Sequence, residues 1–192
     1  MTRELTVLDE AWPLARPFAI SRGVKTEAHV VVAEIRDGEA MGRGECVPYA
    51  RYKESVDGVR EQIKGQTGAV AFGLDGFGLT ERLPAGAARN ALDSALWDLQ
   101  AKITGRRVWE LIDLPEPAPS VTATTIGIGT VDEMESQARE LSTAPLIKVK
   151  LNRDDVVPRM EAVRAAASGA QLIVDPNEGW TMDELNGFLP EL

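Results

Sequence analysis

Three apolar segments beginning about 25 residues apart, near Val121 to Ile126, Leu146 to Leu151 and Gln171 to Val174, constrain the fold of this chain more than any other feature. Each is followed by the start of a helix. "TVDE" from Thr130 and "TMDE" from Thr181 have the T-x-x-E form, in which a hydroxyl and a carboxylate satisfy two orphan N–H groups at a helix N-terminus. Between them, Asp154 or Asp155 can cap a helix with Pro158 in its first turn, where a missing N–H does little harm. Apolar stripes such as Val131, Met134, Ala138 and Leu141 give these helices one face to bury. Strands alternating with such helices imply a parallel sheet covered by helices, because parallel neighbours need a crossover connection.

The front of the chain reads differently. "EAHVVVAEIRDG" and "AMGRGECVP" are β-branched or alternating segments joined at Asp37-Gly38, which predicts an antiparallel hairpin. A further strand is expected near "LTVLDEAWPL", although Pro13 removes a ladder donor. Ala88, Ala91, Leu92, Ala95, Leu96, Leu99 and Ile103 recur at helical spacing and Gly105 follows as a stop. Ser55 to Lys64 predicts a shorter helix, and "GQTGAVAFGLDGFGL" a loop or broken helix. "LPEPAPS", residues 114–120, has three prolines and reads as a linker. The expected division is therefore an α+β domain over 1–115 and βα units over 116–192.

A closed barrel of eight such units takes about 200 residues at this repeat. The 72 residues after position 120 have room for three. Three parallel strands would leave an open edge, so the chain is expected to be the front of a larger protein or to receive its missing units from elsewhere. Composition narrows the function. A hydrophobic content of 44% with 27% charged residues is that of a soluble globular protein, and a net charge of -9 argues against nucleic acid, whose affinity comes from clustered Lys and Arg. No apolar run approaches the roughly 18 residues of a membrane span. The amino terminus lacks the apolar core of a signal peptide, so a cytoplasmic location is expected. One cysteine, Cys46, excludes an internal disulfide, and one histidine, His29, excludes histidine-cluster metal sites. Any metal would be held by oxygen.

The stretch "IKVKLNRDD" carries the chemistry. Side chains alternate along a strand, so Lys148 and Lys150 share a face while Val149 takes the other. Burying an ammonium costs several kcal/mol of hydration. Either these are solvated lysines guarding an edge strand, or they are used; mutual repulsion and burial would then lower their pKa values towards those of a working base. One repeat later "QLIVDPNEGW" ends its strand in Asp175, followed by Asn177 and Glu178. Asp175 is either a turn residue before Pro176 or a ligand for a hard cation such as Mg2+. At the strand ends of a barrel, lysines beside such an acid place a base next to a Lewis acid. That pairing removes a proton from carbon next to a carboxylate.

"KVKLN" and, 25 residues later, "VDPNEGW" resemble the muconate lactonizing subgroup of the enolase superfamily. "PFAISRG" and "GRGECVPYARYKES" resemble its two capping-domain loops, and "TATTIGIG" the first barrel strand of dipeptide epimerases acting on L-Ala-D/L-Glu. The resemblance implies an α/β fold, an N-terminal α+β capping domain followed by the first part of a (β/α)7β TIM-like barrel. It also implies a Mg2+ cofactor and an enediolate intermediate. In these roles Lys150 is an acid/base catalyst, Lys148 its electrostatic neighbour and Asp175 a metal ligand. Arg22, Thr125 and Asn177 are then substrate-binding, Arg22 towards the distal carboxylate. Tyr49 and Tyr52 read as packing residues and Cys46 as a small buried residue. The partner expected is a small molecule, a dipeptide or an N-acylamino acid, with homo-oligomer formation left open. The family's further metal-ligating acids, its opposing lysine and its D-x-D motif lie on later strands, so this chain is expected to be inactive by itself. The alternatives are an N-succinylamino acid racemase or o-succinylbenzoate synthase of the same superfamily, and a non-catalytic fragment.

Overall fold

The computed structural model describes residues 2–20 and 23–192. The chain divides into two compact units, Met1–Pro13 with Glu27–Ala118, and Leu14–Thr26 with Pro119–Leu192.

Strands β1 (Glu4–Ile20), β2 (Gly23–Asp37) and β3 (Ala40–Cys46) form a sheet in that order; the end of β1 from Leu14 and the start of β2 up to Thr26 count with the second unit, the rest with the first. β2 and β3 are antiparallel, in register from Val31 opposite Cys46 to Asp37 opposite Ala40. Gly38 takes the left-handed conformation that closes the turn (φ 62°). β1 is longer than the sequence suggests and runs through Pro13 and Pro17. It is tolerated there because β1 lies at the sheet edge, where a strand has one side without ladder partners.

Five helices follow: α1 (Val56–Lys64), α2 (Thr67–Ala71), α3 (Gly76–Arg82), α4 (Ala87–Thr104) and α5 (Val108–Leu111). The glycine-rich segment is a broken helix. Its second piece, α3, is started by the Asp75 carboxylate, which accepts the Gly78 N–H at 2.8 Å. The buried stripe of α4 is Ala88, Ala91, Leu92, Ala95, Leu96 and Leu99; Ile103 is exposed, so the stripe stops a turn earlier than periodicity suggests. These residues pack with Val31, Ala33 and Ile35 of β2 into one core. β3 meets α4 through glycine. A Cβ on Gly44 would lie 2.1 Å from the Ala91 carbonyl oxygen, and one on Gly42 2.1 Å from that of Ala95. The alternation of β3, with Gly42, Gly44 and Cys46 buried, therefore turns two bare backbone positions towards the helix.

The second unit carries the βα repeat: β4 (Thr124–Ile126), α6 (Val131–Glu140), β5 (Leu146–Lys150), α7 (Val156–Ala166), β6 (Gln171–Asp175) and α8 (Met182–Phe188). The three strands are parallel in the order β4-β5-β6. Ile126, Ile147 and Val149 pack with Met134, Ala138, Val156, Met160 and Val163 from the helices. Both T-x-x-E sequences form reciprocal caps: the Thr130 and Thr181 hydroxyls accept from the N–H groups of Glu133 and Glu184, and both glutamates reach back. The start of α7 departs from expectation. Asp155 holds the N-cap position in a left-handed conformation (φ 45°) with no side-chain cap, and Asp154 turns its carboxylate to Asn152 instead. β4 is three residues long, and Val121 is exposed ahead of it.

Candidate active site

β5 is the central strand of its sheet, so Lys148 and Lys150 do not guard an edge. Ile147 and Val149 take the helix-covered face and leave both lysines on the opposite one. Parallel register sets Lys150 opposite Asp175. The Asp175 carboxylate receives both ammonium groups on Oδ2, Lys148 at 2.7 Å and Lys150 at 2.5 Å. Its Oδ1 accepts the Asn177 backbone N–H at 2.9 Å. Lys150 is 7% exposed; the Lys148 side chain keeps 35% exposure. A buried ammonium is thus paired with the one carboxylate that the register delivers to it.

The electrostatics correct one expectation. Lys148 is pushed up, not down: the hydrogen bond from its ammonium to Asp175 outweighs burial. Burial pushes Asp175 up, but hydrogen bonds from Lys148, Lys150 and the Asn177 N–H outweigh it and hold the carboxyl well below the usual carboxylate range. At neutral pH Lys148 is an ammonium and Asp175 a carboxylate.

The other expected site residues are distributed unevenly. Thr125 pairs in register with Lys148 across β4 and β5 and is exposed. Asn177 follows Asp175 in a left-handed conformation (φ 51°), as does Glu178 (φ 64°). Arg22 lies outside the described residues. The Tyr49 and Tyr52 rings are 5.8 Å apart, and Tyr52 is exposed. Cys46 is buried, and burial, reinforced by the charge of Glu54, pushes its thiol up to about 11; it is not a nucleophile.

Three residues went unnoticed in the sequence. Asn152, Arg159 and Trp180 join the loops after β5 and β6: the Trp180 indole donates to the Asn152 carbonyl at 2.7 Å, and the Arg159 guanidinium to the Asn152 side-chain oxygen at 2.5 Å. The only signal was their position at the ends of "KVKLN" and "DPNEGW" and an arginine one residue past Pro158. Elsewhere, an apolar cavity of about 430 Å³ in the first unit is lined by Leu74, Phe77, Leu96 and Trp97. Its charged residues include Arg3, paired with Asp37, and Asp75, engaged in capping α3, so it offers little for acid–base chemistry.

Mg2+ takes oxygen ligands in near-octahedral geometry. Asp175 is one such donor, and its Oδ2 is occupied by two ammonium groups. Among the described residues no group of three or more His, Cys, Asp or Glu side chains could hold a metal ion. These residues supply one ligand of a Mg2+ site, not the set.

An α+β unit followed by parallel βα units, with lysines and an acid at strand C-termini, defines a barrel-type α/β protein with its polar groups at the carboxyl ends of the strands. The chain belongs to the mandelate racemase / muconate lactonizing enzyme family: residues 2–113 match its N-terminal domain. The fold is accordingly an α+β capping domain followed by the first part of an enolase-type barrel. The chain is 45% identical to an L-Ala-D/L-Glu epimerase of Escherichia coli over 95% of its own length and 58% of the relative's. It is 42% identical to an N-acetyl-D-glutamate racemase of Pseudoalteromonas over 81% and 50%. It superposes with a TM-score of 0.91 and 44% identity on an enolase family member from Agrobacterium tumefaciens with homology to dipeptide epimerases, bound to sodium and L-Ala-L-Glu, covering 98% of this chain and 58% of that one. A dipeptide epimerase from Methylococcus capsulatus, complexed with Mg and L-Arg-D-Lys, matches with a TM-score of 0.84 and 30% identity over 99% and 58%. The chain thus spans between half and three fifths of the lengths of these proteins.

Proposed function

We propose that this chain belongs to a dipeptide epimerase of the L-Ala-D/L-Glu type, in which the proton on the carbon next to the glutamyl α-carboxylate is removed and returned. The observation that carries the reading is the Lys148–Asp175–Lys150 cluster at the ends of adjacent parallel strands. Lys150 is the acid/base. Its nitrogen, freed from Asp175 and having released one proton to solvent, takes the α-proton to become an ammonium again while the C–H electron pair moves into the carboxylate as an enediolate, and return of a proton to the carbon completes the exchange. Lys148, held as an ammonium by Asp175, supplies positive potential where that negative charge develops. The buried setting of Lys150 strengthens both effects.

Mg2+, which accompanies the Methylococcus relative, would add Lewis-acid stabilisation of the carboxylate, with Asp175 as one oxygen ligand. Thr125 and Asn177 flank the pair along the strand ends and are the described residues we assign to substrate. Arg22 keeps its proposed role towards the distal carboxylate. The test is deuterium exchange at the Glu α-carbon of L-Ala-L-Glu in D2O, followed by NMR on the whole protein. Lys150→Ala should slow exchange by about a hundredfold or more; exchange at the wild-type rate would remove Lys150 from the reaction.

The second reading is racemisation of an N-acylamino acid, favoured by the 42% identity to an N-acetyl-D-glutamate racemase. Both substrates present a carboxylate beside an acylated α-nitrogen, so the same lysine serves either. A panel of dipeptides against N-acetyl- and N-succinylamino acids decides between them by kcat/KM.

A further inference from the structure

The two loops that follow the lysine strand and the acid strand are tied to each other by side chains that take no part in the proton chemistry. From the β5–α7 loop, Arg153 Nε donates to the Gly179 carbonyl at 2.9 Å and pairs with Glu184 at 3.0 Å. From the β6–α8 loop, the Trp180 indole N–H donates back to the Asn152 carbonyl at 2.7 Å. Asn152 is itself fixed from below. Its side-chain oxygen accepts from Arg159 and from the Asp154 N–H (3.1 Å), and its amide donates to the Asp154 carboxylate at 2.8 Å. Arg159 is buried and also binds the Asp154 carbonyl at 2.6 Å.

What these bonds bracket is unusual backbone. Asn177 and Glu178 are consecutive non-glycine residues in the left-handed region, at φ 51° and 64°, a conformation that persists only where its surroundings impose it. The bonds to Gly179 and from Trp180 land immediately after that pair, and the Asn177 N–H to Asp175 bond immediately before it. The strained turn therefore hangs between Asp175 and the clasp.

We propose that Trp180 and Arg153 are positioning residues: they lock the β6–α8 loop onto the β5–α7 loop and thereby hold Asp175 in the place where it engages Lys148 and Lys150. Without them the Asn177–Glu178 turn relaxes, and Asp175 moves with it. The inference's meaning for catalysis rests on the function proposed above. Its geometry does not, and the test reads geometry.

In the full chain, Trp180→Phe keeps a ring against Phe188, whose centroid lies 4.9 Å from that of Trp180, and deletes only the indole donor. The readout is acetylation of individual lysines by an N-hydroxysuccinimide ester, quantified by peptide mass spectrometry. With circular dichroism and Tm at wild-type values, labelling of Lys148 and Lys150 should rise about fivefold, the factor for loss of one ordinary hydrogen bond. Lys64 and Lys102, on helices of the other unit, serve as references and should not change. A role confined to stability would appear as a lowered Tm, and a general change in lysine reactivity would move all four together. Arg153→Gln, at a side chain 59% exposed, provides a second folded variant with the same expected direction should Trp180→Phe fail to fold. Unchanged labelling of Lys148 and Lys150 in a folded variant overturns the proposal, whether or not the protein proves to be an epimerase. Raised labelling here, with no deuterium exchange at the Glu α-carbon by the whole protein, would retain the clasp and reject the function.

Discussion

Asp175 is the residue on which the local charge balance turns, because one carboxylate answers two ammonium groups of which one is buried. Asp175→Asn leaves Lys150 inside without a counter-ion and should cost about 3 kcal/mol in denaturant unfolding. Lys148→Met, at a more exposed member, should cost less than about 1 kcal/mol. The sign with pH follows from the direction of the shift. Asp175 is more acidic folded than unfolded, so its stabilisation is complete above the unfolded value of about 4 and is lost as pH falls below it. Asp175→Asn should flatten that acid limb. Cys46 works at the opposite end. Its thiol is raised from 9.0 to about 11, so the unfolded chain ionises first and stability should fall as pH rises between those values, a slope that Cys46→Ala removes. Native Cys46 should also resist alkylation at pH 8, measured by mass shift.

Elements differ in how openly their sequences announced them. The βα units were legible because their signals are local: a capping box, an apolar stripe and a strand of β-branched residues lie within one repeat. The β2–β3 hairpin and α4 were legible for the same reason. Poorly legible were features fixed by partners distant in sequence. Nothing local says that β1 continues through Pro13 and Pro17, since the permission comes from lying at an edge. Nothing local separates a solvated lysine pair from a buried one; what decides is that β5 is central and that register brings Asp175 across. That same partner reversed the expected direction for Lys148. The glycines of β3 were passed over because a glycine in a strand is ambiguous until its neighbour is known. With α4 in place, Gly44→Ala should destabilise the first unit by several kcal/mol, about 3, because the clash is with backbone and no side chain can swing away; thermal unfolding against Gly169→Ala, at a position where a Cβ meets nothing within 4 Å, is the comparison.

At the scale of the whole molecule, charge and metal are the quantities that can be titrated. A net charge of -9 and a pI near 4.8 leave a chain that repels polyanions. With one strand-end carboxylate already engaged by two lysines and no cluster of three ligating side chains among the described residues, this chain should gain little from Mg2+. Its Tm in 1 mM MgCl2 and in excess EDTA should agree within about 1 °C. A large upward shift with Mg2+ would show that ligands converge here that the static arrangement does not bring together.

Helix α4 has Gly86 at its N-cap position, with no side chain to cap it. The first-turn N–H of Ala87 is accepted by the Glu54 carboxylate at 2.6 Å, and the other oxygen of Glu54 holds the Tyr49 N–H at 3.1 Å. The longest helix of the chain therefore borrows its first anchor from a segment 33 residues upstream. Its opening turn will fray until that segment docks, and lengthening or shortening the 47–54 stretch will be felt as unwinding at the head of α4.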